Sequence, residues 1–263
     1  MSAEYRTILL DVRNEILTIT LNRPDKRNAL NDLMVKELIE VLQKYQAEPE
    51  ISVLLLKGNG SAFCAGADLL YLKELLGKDL KDHRDDSRQL RNMFYLLYSF
   101  PRPTIALVNG PAIGGGCGLV NVCDLAVAAE GAKFGYPEVK IGFVPALVSV
   151  FLVASVGARK AKELLLSGRI MTAREAAGIG LINDIVKNAK DLDAKAHELA
   201  EIFKRNAPSS LIFTKNFCNK ITLASIEKIL DDGANLNAES RLHENFREGI
   251  LSFIEKRIPE WIR

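Results

Sequence analysis

Three short runs of apolar residues constrain the fold of this chain most strongly. Residues 53–56 are VLLL, residues 104–108 are TIALV and residues 125–129 are LAVAA. Strands that helices cover on both faces have such continuous apolar runs, whereas half-exposed strands alternate apolar and polar residues. The runs therefore predict buried, largely parallel strands in the first half of an α/β protein.

The segments around these runs have other periods. Residues 15–21 alternate with period two, which predicts a half-buried strand. Helical spacing follows in two places, and Asn31 and Asp32 suit the start of the first helix. The two predicted helical stripes are Met34, Leu38, Val41, Leu42 and Tyr45, and then Leu90, Phe94 and Leu97 before Pro101.

The last third of the chain lacks a convincing strand pattern. Beyond about residue 190 the apolar residues recur at helical spacing, as in Phe246, Ile250 and Phe253. Such stripes must cover either the body of the same chain or a neighbouring subunit. We therefore divide the chain into a core over residues 1–190 and a C-terminal helical oligomerisation region over residues 191–263. Residues 73–91, dense in mixed charge, are a solvated loop or helix face, or a mobile lid.

Composition excludes several classes of protein. The 35 Lys and Arg against 33 Asp and Glu leave a charge of +2, which argues against a nucleic-acid binder. The sequence has no apolar run near the roughly 18 residues of a membrane span, and its start does not resemble a signal peptide. The four cysteines form no CxxC pair, so we expect reduced core residues in a cytoplasmic protein.

Familiar catalytic signatures are absent from the sequence. It contains no GxxxxGK[ST] phosphate loop, no GxSxG elbow and no HExxH, so a metal site is not predicted. Tyr136 and Lys140 match the YxxxK pair of short-chain dehydrogenases. The stretch after the first predicted strand, however, lacks glycine, and Leu119 stands where GxGxxG requires its third glycine. A dinucleotide site is therefore disfavoured.

Two glycine-bearing loops remain, and each follows a predicted buried strand. They are residues 61–69, SAFCAGADL, and residues 110–119, GPAIGGGCGL. Loops at the carboxyl ends of parallel strands are where α/β sheets bind ligands. Glycine lets a ligand approach the backbone, and free N–H groups at a helix start favour negative charge. Two such groups converging from separate loops would form an oxyanion hole, although either loop alone could be only a tight turn.

Five blocks in register resemble the crotonase superfamily. In chain order they are Asn22-Arg23-Pro24 with Asn28-Ala29-Leu30, then residues 63–68, residues 109–116, Phe134-Gly135-Tyr136-Pro137-Glu138, and residues 253–259. The resemblance spans essentially the whole chain. It implies a crotonase-like spiral of ββα repeats with a C-terminal helical trimerisation region, assembled as a homotrimer or a dimer of trimers.

The resemblance also implies a function and a set of site residues. Members bind acyl-CoA thioesters and stabilise an enolate, here with the backbone N–H groups of Ala65 and Gly115. No separate cofactor is implied, because coenzyme A is part of the substrate. The CoA phosphates need positive charge, for which Lys26 and Arg27, with Arg23, are the first candidates and Lys256 of a neighbouring subunit the second. The remaining implied substrate contacts are Ala29, Ala62, Asp68, Leu69, Gly114, Gly118 and Pro137.

The acids of the site decide the reaction. Family hydratases commonly use two glutamates, and this chain matches the second with Glu138 but has Gly118 at the first. Apolar neighbours of Glu138 could raise its pKa toward about 6–7, which suits a base at neutral pH. The local sequence is most similar to the methylglutaconyl-CoA type of hydratase, which favours hydration of a 2-enoyl-CoA, with a branched or carboxylated acyl chain among the options.

Two alternatives remain open. A single carboxylate equally suits an isomerase that moves a double bond from position 3 to position 2, and loss of the acid at Gly118 could leave a non-catalytic acyl-CoA-binding protein. Asp68, Tyr71 and Tyr136 are polar candidates to replace the missing acid.

Overall fold

The computed structural model describes residues 5–222 and 226–262. Its strands are β1 Ile8–Arg13, β2 Ile16–Leu21, β3 Val53–Gly58, β4 Thr104–Val108, β5 Ala112–Ile113, β6 Leu125–Ala129, β7 Lys133–Gly135, β8 Ile170–Thr172 and β9 Asp184–Val186. Its α-helices are α1 Asp32–Tyr45, α2 Leu69–Leu75, α3 Leu80–Tyr98, α4 Gly115–Val122, α5 Ala146–Ser167, α6 Ala173–Gly178, α7 Asp191–Lys204, α8 Pro208–Thr222, α9 Ile226–Ser240 and α10 Glu244–Glu255. Short 3₁₀ turns span Pro24–Lys26 and Pro137–Ile141.

The main sheet has six strands in the order β1-β2-β3-β4-β6-β9. The edge strand β1 runs antiparallel to β2, and every other neighbouring pair is parallel. The three apolar runs of the sequence are β3, β4 and β6, which lie side by side, so the α/β prediction with largely parallel pairing is confirmed. Because β3 and β4 are parallel neighbours, the loops that follow them leave the same edge of the sheet.

A second, three-stranded sheet stands next to these loops, in the order β5-β7-β8. Strand β5 pairs in parallel with β7, so that Ala112 lies opposite Phe134 and Ile113 opposite Gly135. The residues that leave β5 and those that leave β7 therefore start from adjacent positions. This pairing brings the second glycine-bearing loop beside the turn that carries Glu138.

Helices cover both faces of the main sheet, as continuous apolar strands require. On one face, Ile105 and Leu107 of β4 pack with Leu192 and Ala196 of α7. The alternate residues of β4 point to the other face, into the large core that includes residues of α1 and α3. Helix α7 thus covers the sheet of its own chain.

The remaining C-terminal helices are only partly covered. Helix α9 packs against α3 and α5. Within the predicted stripe of α10, Phe246 and Ile250 are fully buried, but Phe253 remains 57% exposed. The division at residue 190 stays a prediction, since part of the second region completes the core of the first.

Thr172 and Glu175 form a capping box at the start of α6, which ends at Gly178. The expectation that all four cysteines are core residues is wrong, because Cys218 is exposed on α8 and Cys123 is half-buried. Among the described residues, no helix is both long and apolar enough to cross a membrane.

Candidate active site

A buried asparagine holds the first glycine-bearing loop in place. The side-chain amide of Asn28 donates to the carbonyl oxygens of Asn59, at 2.8 Å, and Ala62, at 2.9 Å. Its side-chain oxygen accepts the N–H of Arg23 at 2.9 Å. These bonds join the segment after β2 to the loop after β3, which explains why the two blocks occur together in the sequence.

An ion pair fixes the far end of the same loop. The guanidinium of Arg23 donates to the Ala29 carbonyl at 2.5 Å and to the Asp68 carboxylate at 2.8 Å. Asp68 also caps α2 by accepting the N–H of Leu70 at 3.0 Å. Both charged side chains are largely buried. Arg23 is therefore bound to the loop and does not line the cavity, and its contribution to a phosphate site stays a prediction.

The two glycine-bearing loops are in direct backbone contact. The N–H of Cys64 donates to the Pro111 carbonyl at 3.1 Å, and the N–H of Ile113 donates to the Cys64 carbonyl at 2.9 Å. A Cβ atom on Gly116 would lie 2.2 Å from the Cys64 carbonyl oxygen, and one on Gly110 would lie 2.3 Å from that of Ser61. Only glycine permits this approach.

The free amides of the site differ from the expected pair at one position. The N–H of Ala65 donates to the Arg27 carbonyl at 2.9 Å, so Ala65 has no hydrogen to offer a ligand. Gly66 has a φ of +88°. The N–H group of the next residue, Ala67, donates no hydrogen bond within residues 5–222 and 226–262, and neither does that of Gly115. Both Ala67 and Gly115 line the same cavity. The free backbone N–H groups at the cavity are therefore those of Ala67 and Gly115, and the expectation for Ala65 is wrong.

Gly115 is the first residue of α4, where backbone N–H groups lack intrahelical acceptors. The loops place it close to the first amide, since a Cβ on Gly66 would lie 3.6 Å from the Gly115 nitrogen. The macrodipole of α4 adds positive potential at this end. The two amides therefore form an anion-attracting wall of the cavity.

The carboxyl of Glu138 lies against the preceding glycine. Gly114, with a φ of +54°, donates its N–H to the Gly135 carbonyl at 2.8 Å. A Cβ atom at Gly114 would lie 2.9 Å from Glu138 Oε1 and 3.3 Å from its Cδ. Both the backbone angle and the space require glycine here. The carboxyl is consequently one residue away from the free amide of Gly115.

Burial gives Glu138 the properties of a base. Its side chain extends from the 3₁₀ turn that begins at Pro137, and the residue is 9% exposed. Its Oε2 is buried and has no hydrogen-bond partner among the described residues. Loss of hydration on burial raises the pKa of Glu138 from 4.5 to about 7. Such a group exchanges protons readily at neutral pH.

The place of a second acid is filled by apolar side chains. A Cβ on Gly118 would lie 2.4 Å from Cγ1 of Val148 and 3.1 Å from the ring of Phe94. Gly118 is buried in α4 and does not line the cavity. The expectation that it contacts substrate is therefore wrong: its glycine makes room for the packing of α4 against α3 and α5.

Two of the three candidates to replace that acid are committed elsewhere. Asp68 bonds to Arg23 and caps α2, as described above. Tyr136 is fully buried and is not among the residues that line the cavity. Tyr71 does line the cavity, where its hydroxyl donates to Asp86. Glu138 is the carboxyl that stands beside the free amides.

The cavity has a volume of about 750 Å³ and brings most of the predicted contacts together. The predicted substrate residues that line it are Lys26, Arg27, Ala29, Asp68, Leu69, Gly114 and Pro137. Lys26 and Arg27 are exposed at its rim. Ala62 is buried outside it, and Lys256 is exposed after the end of α10 and outside the lining. A single chain thus leaves these last two apart from the site.

Two parts of the site were not predicted from the sequence. The first is the Ala67 amide, because the positive φ of Gly66 that precedes it is a property of the folded chain. The second part is a polar group in the cavity wall, formed by Asp86 of α3, Asn237 of α9 and Arg241 just after α9. No sequence signal joins these residues, since about 150 positions separate Asp86 from Asn237.

Comparisons with known proteins point to one family. Residues 11–263 match the enoyl-CoA hydratase/isomerase family. A putative enoyl-CoA hydratase of Thermus thermophilus is 43% identical over 95% of this chain and 98% of that protein. The 2,3-dehydroadipyl-CoA hydratase of Escherichia coli is 34% identical over 97% of this chain and 98% of that protein.

A solved structure has the same architecture. The crystal structure of an enoyl-CoA hydratase/isomerase from Xanthobacter autotrophicus superposes with a TM-score of 0.88 at 29% identity, covering 97% of this chain and 98% of that one. The match extends over nearly the whole of both chains. The chain belongs to the enoyl-CoA hydratase/isomerase family and has the crotonase fold.

Proposed function

We propose that the protein hydrates a 2-enoyl-CoA, with Glu138 as the single general acid and base. One observation carries the proposal: an unpaired, buried carboxyl whose pKa is raised to about 7 lies against Gly114, next to the free amide of Gly115. The names of the relatives, enoyl-CoA hydratase among them, support the same class of reaction. The narrower similarity to the methylglutaconyl-CoA type stays a prediction.

The proposed steps balance with one carboxyl. The thioester oxygen accepts the N–H groups of Ala67 and Gly115, and a water oxygen bonds to C3 while the Glu138 carboxylate takes one water proton. The C2–C3 π electrons move into an enolate whose oxygen the two amides stabilise. Glu138 then returns the proton to C2, so that water has added across the double bond.

The rim of the cavity suits the coenzyme. Lys26 and Arg27 are exposed there, where their charges can meet CoA phosphates without the loss of hydration that burial imposes. We place the pantetheine chain along Ala29, Leu69 and Pro137. Lys256 and Ala62 do not line the cavity of one chain, so a role for Lys256 requires a neighbouring subunit.

The isomerase alternative has an observation of its own. Because Val148 and Phe94 occupy the space at Gly118, no second carboxyl stands in the part of the wall formed by α4. In an isomerase, Glu138 removes a proton from C2 of a 3-enoyl-CoA and returns it to C4. This shuttle needs no activated water.

One experiment separates these chemistries. Short, branched and carboxylated 2-enoyl-CoAs and 3-enoyl-CoAs are incubated with the protein in deuterated water and followed by NMR. Hydration puts deuterium at C2 and oxygen at C3, isomerisation moves the double bond, and a binding protein does neither. A Glu138→Gln variant that still binds acyl-CoA should lose both reactions. Turnover by the variant at the rate of the parent protein contradicts the proposal.

The exposed face of α8 suits a second copy of the chain. Phe213, Phe217 and Ile221 recur at helical spacing and are 72%, 64% and 69% exposed. Three large apolar side chains in one row are more than a monomer usually leaves in water. We propose that they pack in a homotrimer, or in a dimer of trimers.

A further inference from the structure

The inner part of the cavity wall contains a buried ion pair. Arg241 is 5% exposed, and its Nη1 lies 2.6 Å from Oδ2 of Asp86. Its Nη2 donates to Oδ1 of Asn237 at 2.8 Å. All three residues line the cavity, on segments other than the one that carries Lys26 and Arg27. With the CoA phosphates at Lys26 and Arg27, we place the far end of the acyl chain against this polar group.

The acceptor atoms of this group are already in use. Oδ1 of Asp86 accepts the Tyr71 hydroxyl, and its Oδ2 accepts Arg241. Oδ1 of Asn237 accepts both Arg241 and the Ser87 hydroxyl, the latter at 2.9 Å. The side-chain amide of Asn237 donates to the Val144 carbonyl at 3.2 Å.

Some hydrogen-bond donors of this polar group, in contrast, have no acceptor. Of the five N–H groups of a guanidinium, those of Arg241 reach just two acceptors among the described residues, and Nε is buried without a partner. The half-buried Gln89, whose side-chain amide carries two more N–H donors, also lines the cavity. An apolar acyl chain packed here would shield the Gln89 amide from water and would leave the spare N–H groups of Arg241 without an acceptor, which is costly. A ligand oxygen would accept from them.

Charge decides which oxygen fits. Asp86 already compensates Arg241, so the buried pair is neutral, and the guanidinium is further stacked over the Phe143 ring at 5.5 Å. A carboxylate brought to this point would be an additional buried anion without a counterion of its own. A hydroxyl or keto oxygen accepts the same hydrogen bonds without that penalty.

We propose that the acyl group of the preferred substrate carries a neutral oxygen, a hydroxyl or a keto group, at the end remote from the thioester. This inference rests on the proposed function, and it names the substrate class of the same site. Arg241 and Gln89 hold that oxygen, and Asp86 sets the charge of the subsite.

The test uses matched substrates. At chain lengths of five and six carbons, 2-enoyl-CoAs ending in a methyl, a hydroxymethyl or a carboxylate group are compared by kcat/KM. We expect the hydroxyl-ended substrate to exceed both others by about tenfold or more at one length, the effect of a satisfied buried hydrogen bond. Equal values, or a preference for the methyl or carboxylate end at both lengths, overturn the proposal.

A charge change provides the second readout. Asp86→Asn keeps the shape but removes the compensating anion, so the ratio of carboxylate-ended to hydroxyl-ended kcat/KM should rise by about tenfold or more. The control is Arg84→Gln, which breaks a different ion pair of α3, between Arg84 and Glu239 of α9 at 3.1 Å, away from the cavity lining. It should leave the ratio unchanged. An unchanged ratio in Asp86→Asn overturns the proposal.

Failure of this inference can be told apart from failure of the proposed function. If the methyl-ended substrates are hydrated in a Glu138-dependent way with no preference for oxygen, the subsite is wrong and the hydratase stands. If no thioester of the panel reacts, both are wrong.

Discussion

Burial of one carboxyl, with no cation to pair it, is the central electrostatic fact of the site. Glu138 is 9% exposed and Oε2 has no partner among the described residues. Desolvation is the first cause of its raised pKa, so the group is near half-ionised at neutral pH without a second titrating residue. Two consequences can be measured.

The first consequence is a pH dependence of catalysis. The free enzyme must hold Glu138 as a carboxylate to accept the first proton, so kcat/KM should fall about tenfold per pH unit below a pKa of about 7. The profile is recorded with one enoyl-CoA between pH 5 and 9. The residual activity of Glu138→Gln should lack this limb, and a limb retained by the variant assigns it to another group.

The second consequence concerns stability. A carboxyl whose folded pKa is about 7 against 4.5 unfolded holds more protons in the folded state, so it destabilises the protein as pH rises through this window. At pH 8, Glu138→Gln should therefore raise the free energy of unfolding by up to about 3 kcal/mol, at 1.36 kcal/mol per pKa unit. At pH 4.5 the difference should nearly vanish. Denaturant unfolding at both pH values measures it, and a variant less stable at pH 8 contradicts the assignment.

Among the single residues of the site, the carboxyl group could be located from the sequence, but only one of the two free backbone N–H groups could. Glu138 and Gly115 both line the cavity, and their catalytic roles stay predictions. Ala65 was wrong because a backbone N–H carries no sequence label: whether it is free depends on the Arg27 carbonyl, which comes from a different segment and accepts it at 2.9 Å.

Among the elements, α4 determines how many acids the site can hold. Its middle is packed against α3 and α5, with Val148 and Phe94 in the space that a side chain at position 118 would need. The helix could be anticipated from the glycine-rich loop before it. Its neighbours could not, because α5 begins 28 residues after Gly118 and its packing is a tertiary property.

This packing predicts the effect of a single methyl group. Gly118→Ala puts Cβ 2.4 Å from Val148 and should destabilise the protein by about 1–3 kcal/mol, as overpacked cores do. The matched control is Gly178→Ala in α6, where nothing lies within 4 Å of the new Cβ. It should be neutral or stabilising by up to about 1 kcal/mol. Thermal unfolding compares the two, and equal effects would contradict the packing described.

For the whole molecule, the long buried strands of the main sheet could be predicted from the sequence, whereas the short strands of the second sheet could not. The runs of β3, β4 and β6 are buried on both faces and formed as expected. The short strands β5, β7 and β8 have two or three residues each, too few to show a period, yet they bring Gly114 to Glu138. The charged segment 73–91 comprises the end of α2, a turn and the first part of α3, and α3 packs against α9.

The oligomeric state of the whole molecule can be tested directly. Sedimentation at micromolar concentration should show a trimer or hexamer, and Phe217→Glu should shift it toward monomer, because a charge replaces a large apolar side chain in the α8 row. Leu9→Glu, at an exposed apolar position on β1, is the control and should sediment as the parent does. A stable monomeric parent contradicts the assembly.

The filled space at Gly118 also limits how such a protein can evolve. A glutamate introduced at 118 alone meets Val148, whereas a smaller residue at 148 alone leaves a void, so each single step is penalised before the pair is beneficial. One-acid and two-acid lineages are therefore separated by a fitness barrier. Laboratory selection for a two-acid descendant needs libraries that vary positions 94, 118 and 148 together.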